Sequence, residues 1–501
     1  MEAGTRSRLS GWRTIETMAA TAVIAAYYFA RFRDSVLTFF ALDDFWILNQ
    51  AARITPHGLA DLGQFLRMNH TGFLLYRPLT QPDYFYLLHL LFGYDASGYH
   101  AVHLCIHIAN ALLVFAIVRR LTESARAGLA AGLIYAAAPG HITAVYWLAA
   151  CSMSGTALIV LSMLYLWLRT ASCWRAVGCG VLQVLGLLAS EHAVVAPVLL
   201  ALVSVFRPWR EPRRVIWRHL AAPTVAVGVY LVLKIYYFAH VRAFAPGEAY
   251  RPGLDAAGWF VRLGRYAVAS LNAAALLPLG EWAWMGIGVL LIAVILFAVW
   301  RALRGQEQWR LLALGGTLFV TALMPVLPLR EHYYDYYIGI AAAGAAIAIV
   351  GGCALVTPRW RDLSLALAGG IVLLEVVTGG RAARSAPGYR FYLSVAGASA
   401  EWLATVQRVA ADRTQVAEVF VPRDPLTEVL FEVGRAQRLF ATHSPRVALY
   451  DPAQAPMPAP GRLVLRGPLP PVADNGQVLG WQPRWGWLRR AAGCRDCAAP
   501  K

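Results

Sequence analysis

Lysine is almost missing from this chain. Lys234 and Lys501 are the only two, so nearly all of the 45 basic side chains are arginine. Charge of any sign is scarce, at 15% of residues, while 58% are hydrophobic and the mean hydropathy is +0.51. That balance excludes an ordinary soluble enzyme. No repeat of fixed period is present, which excludes a tetratricopeptide array. The seven cysteines are scattered. Cys105, Cys151, Cys173, Cys179 and Cys353 lie in or beside apolar runs and read as packing residues. Cys494 and Cys497 form a CxxC without a second pair, weak support for zinc. If the tail lies outside the membrane, a disulfide suits them better. A cleavable signal is also lacking: the apolar run near 17–30 has no small-residue cleavage site and reads as an anchor.

What the chain has instead is apolar runs of about 15–22 residues, the length that crosses about 30 Å of hydrocarbon. The fold class expected is an all-α polytopic membrane protein. The net charge of +17 does not indicate nucleic acid, because the arginines sit in short loops between apolar runs. Arg6, Arg8 and Arg13 place the N-terminus in the cytoplasm. The groups Arg119/Arg120/Arg126, Arg169/Arg175, Arg207/Arg210/Arg213/Arg214/Arg218, Arg301/Arg304/Arg310 and Arg359/Arg361 mark further cytoplasmic loops. Keeping all of them inside requires 258–277 to be an outer-surface or partly inserted helix. The count is then about 11 spans, with the C-terminus outside. Pro139 and Gly140 break the third span near the outer face. The short aromatic stretch 83–92 is an interfacial helix.

Two domains are expected. Residues 1–380 form the membrane domain, with 31–97 as its first extracytoplasmic loop. Residues 381–501 form a small extracytoplasmic α/β domain. Its helices are expected over 388–412 and 426–439, and its strands over 416–421, 446–450 and 462–466.

The longest polar interval in the first two thirds of the chain is Ala41–Thr80, which contains Asp43 and Asp44. Adjacent carboxylates beside a membrane are costly, and a general base, a metal-ligand pair or a helix cap each accounts for them. The closest reading makes Asp43 the cap and Asp44 the base. Arg77, in YRPLT, carries a planar fork suited to phosphate or carboxylate, or snorkels to headgroups. His100, His103, His107 and Asn110 share one helix face and read as a polar interhelical seam rather than a metal site. His141 opens an outer turn, Glu191 stands at the tip of a helical hairpin, and Lys234 lies in the outer third of the seventh span, where a lysine needs an anion or the interface. Glu331, His332 and Tyr333 come after an outer Pro-Val-Leu-Pro. With Arg265, these ionisable groups all fall near one face, which a membrane protein without a site there has no reason to arrange.

The ordered set DD, YRPLT, HLCIHIAN, APGHITAVYWLA, ASEHAVVAPVLL and REHYYDYYIGIA, over about residues 35–345, resembles the GT-C glycosyltransferases. Within them it is most similar to the protein O-mannosyltransferase-like branch. That branch includes the transmembrane O-mannosyltransferases with tetratricopeptide repeats and their bacterial relatives. The resemblance implies an inverting transferase that uses a polyprenyl-phosphate sugar on the extracytoplasmic side of a cell membrane. The acceptor is a lipid, glycan or protein. It implies a catalytic base at Asp43 or Asp44. Lipid-phosphate contacts are implied among Arg77, His141, Glu191, Lys234, Arg265, Glu331, His332 and Tyr333. A divalent cation is admitted as a cofactor, and no metal ligands are assigned. The chain departs from the family at Ser190, where a lysine is usual, at His332, where an arginine is usual, and at Ala138, where a histidine precedes the proline. The competing reading is a flippase-like or non-catalytic membrane protein of envelope glycan assembly. A transporter predicts repeats or midplane charges, and neither is found.

Overall fold

The computed structural model describes residues 2–52, 76–169, 173–207, 212–240, 252–253, 255–270, 279–329, 333–377, 393, 395–397, 399–400, 418–422, 446–450 and 462–464. It is mostly helical. In chain order the helices are α1 (Glu2–Phe32), α2 (Asp43–Ala52), α3 (Pro82–Phe92), α4 (Ala96–Thr122), α5 (Ala125–Ala137), α6 (His141–Tyr146), α7 (Cys151–Trp167), α8 (Cys173–Ala189), α9 (Ala196–Phe206), α10 (Arg213–His240), α11 (Ala256–Ala269), α12 (Glu281–Leu303), α13 (Arg310–Leu323), α14 (Ala341–Val356) and α15 (Trp360–Val377). A helix lies over each apolar stretch read as a span.

Among the described residues four helices are long and apolar enough to cross a membrane: Ala96–Thr122, Leu148–Trp167, Arg213–His240 and Glu281–Leu303. They behave differently. The Leu148–Trp167 segment is largely buried in protein, whereas α10 and α12 turn most of their apolar surface outward. Val225, Val229, Val232 and Ile235 on α10 are all exposed. In water such a surface would drive aggregation; in hydrocarbon it costs nothing. The chain is an integral membrane protein.

Sequence signals set the helix ends. Asp95 accepts a hydrogen bond from Ser97 N (3.2 Å) and starts α4, and Ser124 accepts from Ala127 N (3.3 Å) and starts α5. Pro139 forbids further helix and stops α5. Helix α11 has 14 residues, about 21 Å at 1.5 Å per residue. It packs on α12 through paired glycines. A Cβ on Gly264 would lie 2.0 Å from the Trp284 carbonyl oxygen, and one on Gly288 would lie 2.2 Å from that of Phe260. Helices α13 and α14 approach in the same way at Gly315 and Gly344. Small residues let helix backbones touch where no hydrophobic driving force separates helix from lipid.

Beyond residue 400 the described chain is three parallel strands, β1 (Glu418–Pro422), β2 (Arg446–Tyr450) and β3 (Arg462–Val464), in the order β2-β1-β3. Glu418 pairs with Arg446 on one side and with Arg462 on the other. The helix expected over 426–439, most of 388–412, and Cys494 and Cys497 lie outside the described residues.

Candidate active site

The site is built around the segment just after α6. Asp44 is fully buried. Its Oδ2 accepts from Ala41 N (2.9 Å) and its Oδ1 accepts from Ala149 N (2.7 Å). Burial pushes its carboxyl well above the usual range, opposed by those amides. Asp43, one residue earlier, is solvent-exposed. The sequence alone makes Asp43 the cap and Asp44 the base. Asp44 is the anchoring carboxylate and Asp43 faces out. Adjacent residues on a helix point about 100° apart, so on the rim of a packed helix one of a pair must turn inward.

Arg77 is the second component. Its Nε donates to Glu191 Oε2 (2.9 Å), its Nη2 donates to Glu191 Oε1, and its Nη1 donates to Ser152 Oγ (3.4 Å). A two-point pairing of guanidinium with carboxylate fixes direction as well as distance. The loop carrying Arg77 is pinned to the end of α8: Leu79 N donates to Leu188 O (3.1 Å) and Thr80 Oγ1 to Ala189 O (2.5 Å). Glu191 therefore fixes the direction of the Arg77 guanidinium. Lys234, on α10, is within electrostatic reach of both. Its Nζ donates to Tyr230 OH (3.4 Å) and lies 5.6 Å and 5.9 Å from the ring centres of Tyr230 and Phe238.

The two components are adjacent. Asp44 is held by residue 149 and Arg77 by residue 152, one helical turn later. Between them Cys151 donates to Thr80 O (2.5 Å) and feels the charges of both Asp44 and Arg77. The acidic and basic groups of the first loop thus meet at the N-terminus of α7.

Other residues read from the sequence are placed elsewhere. His141 is buried, its ring 4.5 Å from that of Tyr135 and 5.7 Å from that of His107. It packs beside the α4 seam. In that seam His103 Nε2 and His107 Nε2 are 3.2 Å apart, His103 Nε2 is 3.2 Å from Ser154 Oγ, and Asn110 Nδ2 donates to Ser154 O (2.9 Å). Arg265 lies 5.9 Å from the ring centre of Tyr333, which meets Tyr266 at 4.7 Å. Glu331 and His332 lie outside the described residues. Among the described residues no group of three or more His, Cys, Asp or Glu is arranged to hold a metal ion.

Three carboxylates not singled out by the sequence join this region. Thr143 Oγ1 donates to Asp335 Oδ2 (2.9 Å), and Tyr146 OH donates to Asp34 Oδ1 (2.5 Å). Burial raises the Asp335 carboxyl to about 6, against the Thr143 hydrogen bond. Asp83, in the first turn of α3, is raised to about 7 by burial. A Pro-Asp pair at a helix start looks like ordinary first-turn chemistry, and Asp335 is inconspicuous among the tyrosines of HYYDYY.

No protein-family model matches the chain, and no curated protein matches it. Among solved structures it is similar to ArnT from Cupriavidus metallidurans bound to undecaprenyl phosphate, with 14% identity and a TM-score of 0.48 over 89% of this chain and 87% of that one. It is also similar to the apo oligosaccharyltransferase of Archaeoglobus fulgidus, with 13% identity and a TM-score of 0.43 over 87% of this chain and 65% of that one.

Proposed function

We propose that this chain is a GT-C-type membrane glycosyltransferase. It moves a sugar, with inversion, from a polyprenyl-phosphate donor to an acceptor hydroxyl on the extracytoplasmic side. The observation that carries the reading is that Asp44, next in the chain to the exposed Asp43, is held by residue 149 while the oriented cation Arg77 is held by residue 152, three positions on. Together with the ordered motifs, that arrangement supplies the two opposite needs of sugar transfer.

Asp43 accepts the proton of the acceptor hydroxyl as its oxygen forms a bond to the anomeric carbon. The bond from that carbon to the phosphate oxygen breaks, and polyprenyl phosphate departs with the electron pair. Arg77 and Lys234 meet the growing phosphate charge. Fixed donors aimed at developing charge usually contribute more to such catalysis than any other device. Asp44 acts as a positioning residue by fixing α2 to the α6–α7 turn. The proposed frame is about 11 spans with the N-terminus inside. The region 381–501 is proposed as an α/β domain outside.

The test is transfer in membranes from a panel of polyprenyl-phosphate sugars. Asp43→Asn should lower transfer by about 10²–10⁴-fold while leaving donor binding intact. Asp44→Asn should lower both transfer and thermal stability. Wild-type transfer rates in Asp43→Asn, with a confirmed donor and acceptor, would remove Asp43 as the base.

A further inference from the structure

Helix α12 ends in a tight turn that the proposed reaction does not use. Gly305 has φ +86°, a left-handed conformation that suits glycine, and the chain reverses there. Arg304 N donates to Trp300 O (3.1 Å), Gly305 N to Ala302 O (3.1 Å) and Gln306 N to Arg301 O (3.2 Å). The reversal brings Trp309 back against Phe297, edge-on at 5.2 Å. Arg301 is thereby boxed by three rings. Its guanidinium lies 5.8 Å from the ring centre of Phe297, 5.9 Å from that of Trp300 and 5.6 Å from that of Trp309. Arg304 lies 5.4 Å from the ring centre of Trp300. Ring faces hold a cation in place but accept its hydrogen bonds only weakly.

The turn has more cations than anions. Glu307 is the only carboxylate within residues 301–310, and it pairs with Arg310 (3.0 Å). Arg301 Nε and Trp309 Nε1 are enclosed donors with no acceptor. In other basic turns the protein supplies one: Arg120 donates to Leu168 O (3.3 Å), Arg126 to Asp362 (2.7 Å) and Arg175 to Trp167 O (3.3 Å). Enclosed donors ordinarily have a partner, so this turn calls for an acceptor from outside the chain.

The helix face leading to the turn says what carries that acceptor. Leu290, Val294, Phe297 and Trp300 are exposed. Arg301 and Arg304, eleven and fourteen positions after Leu290, continue the same face. Leu290 and Arg301 are about 16 Å apart along the axis at 1.5 Å per residue, the depth of one leaflet of an about 30 Å core. An apolar stripe of that length ending in two arginines complements a lipid with a negative headgroup. A free phosphate would leave the stripe uncovered. A zwitterionic headgroup brings its own cation to the arginines, which repel it.

We propose that the turn between α12 and α13 is a docking site for one anionic phospholipid, with its phosphate at Arg301 and Arg304 and its acyl chains along Leu290, Val294 and Phe297. The site is independent of the glycosyltransferase reading.

The test is photo-crosslinking of the full chain in nanodiscs that contain equal amounts of phosphatidylglycerol and phosphatidylcholine. One of the two lipids at a time carries a diazirine near the top of an acyl chain, and the adducts are mapped by peptide mass spectrometry. Phosphatidylglycerol should label residues 290–310 at least about tenfold more than phosphatidylcholine, since each arginine near a headgroup contributes about fivefold. Arg304→Gln, a change at an exposed side chain that leaves the ring box intact, should lower that label about fivefold. Arg304→Lys, which keeps the charge, should retain most of it. Arg126→Gln, in another basic turn, should leave it unchanged. An excess of sn-glycerol 3-phosphate, which has the charge without the chains, should not displace the lipid. Equal labelling by the two lipids, equal labelling of wild type and Arg304→Gln, or displacement by glycerol phosphate overturns the proposal. Absence of label from 290–310 together with a dimeric mass in detergent gives this face to a second copy of the chain and overturns it as well.

Discussion

Two arginine–carboxylate pairs show how the same chemistry serves different ends. Arg126 and Asp362 meet at 2.7 Å between α5 and α15, with both side chains more than half exposed. Arg77 and Glu191 meet with Arg77 only 8% exposed and Glu191 23%. Water around the first pair already solvates both charges, so the contact adds little. Around the second pair water is largely replaced by protein, so each charge depends on the other. The exposed pair is a surface contact. The enclosed pair aims a cation at a fixed place.

The largest effect expected is on the chemistry beside the enclosed pair. Asp43→Asn should lower sugar transfer by about 10²–10⁴-fold, the usual contribution of a general base, with protein abundance unchanged. Initial rates in membranes check this. Next comes the pair itself. Glu191→Gln leaves Arg77 enclosed without its counter-charge. It should cost roughly 2–4 kcal/mol, somewhat below a fully buried pair because Glu191 is partly exposed. A lower Tm in detergent and a higher donor KM are the readouts, and an unchanged Tm would show that water already solvates Arg77.

A third expectation uses pH. The Asp335 carboxyl is raised to about 6 in the folded chain, so the native state holds its proton more tightly than the unfolded chain does. That contribution is fully present below about pH 4 and is lost as pH rises through 6. Between pH 4 and 7 the wild type should lose at most about 3 kcal/mol relative to Asp335→Asn. A parallel pH profile of Tm for the two proteins would contradict it. The smallest effect is at the exposed pair. Arg126→Ala should change stability by under about 1 kcal/mol and leave transfer untouched. A larger loss would mean that solvent screening is weaker there than its exposure implies.

Much of the frame was legible in the sequence because it derives from one property, apolar length. Pro139 ends α5 where the sequence places a break. The α4 histidines were recognisable as a seam from their common face. The site was legible as a set of residues but not as a set of pairings. Nothing in ASEHAVV says that Glu191 turns to Arg77, which lies 114 positions earlier. Asp43 and Asp44 are chemically identical, and only the packing of α2 against the 148–150 turn decides which one faces inward. His141 looked like an outer-turn ligand because a Pro-Gly break usually exposes the residues after it. Here the chain folds back, and the ring is buried between Tyr135 and His107.

The short helix α6 has a consequence for how the protein matures. Its segment reaches Asp335 through Thr143 across 192 positions, Asp34 through Tyr146 across 112, and Asp44 through Ala149 across 105. The ribosome delivers these groups far apart in time. A nascent chain that has passed residue 150 already owns the contacts to Asp34 and Asp44. Its latch to Asp335 cannot close until α13 and the segment after it have been made. The third contact of this segment therefore forms late in synthesis, after most of the helices are made. A half-made chain carries Asp34 and Asp44 without Asp335.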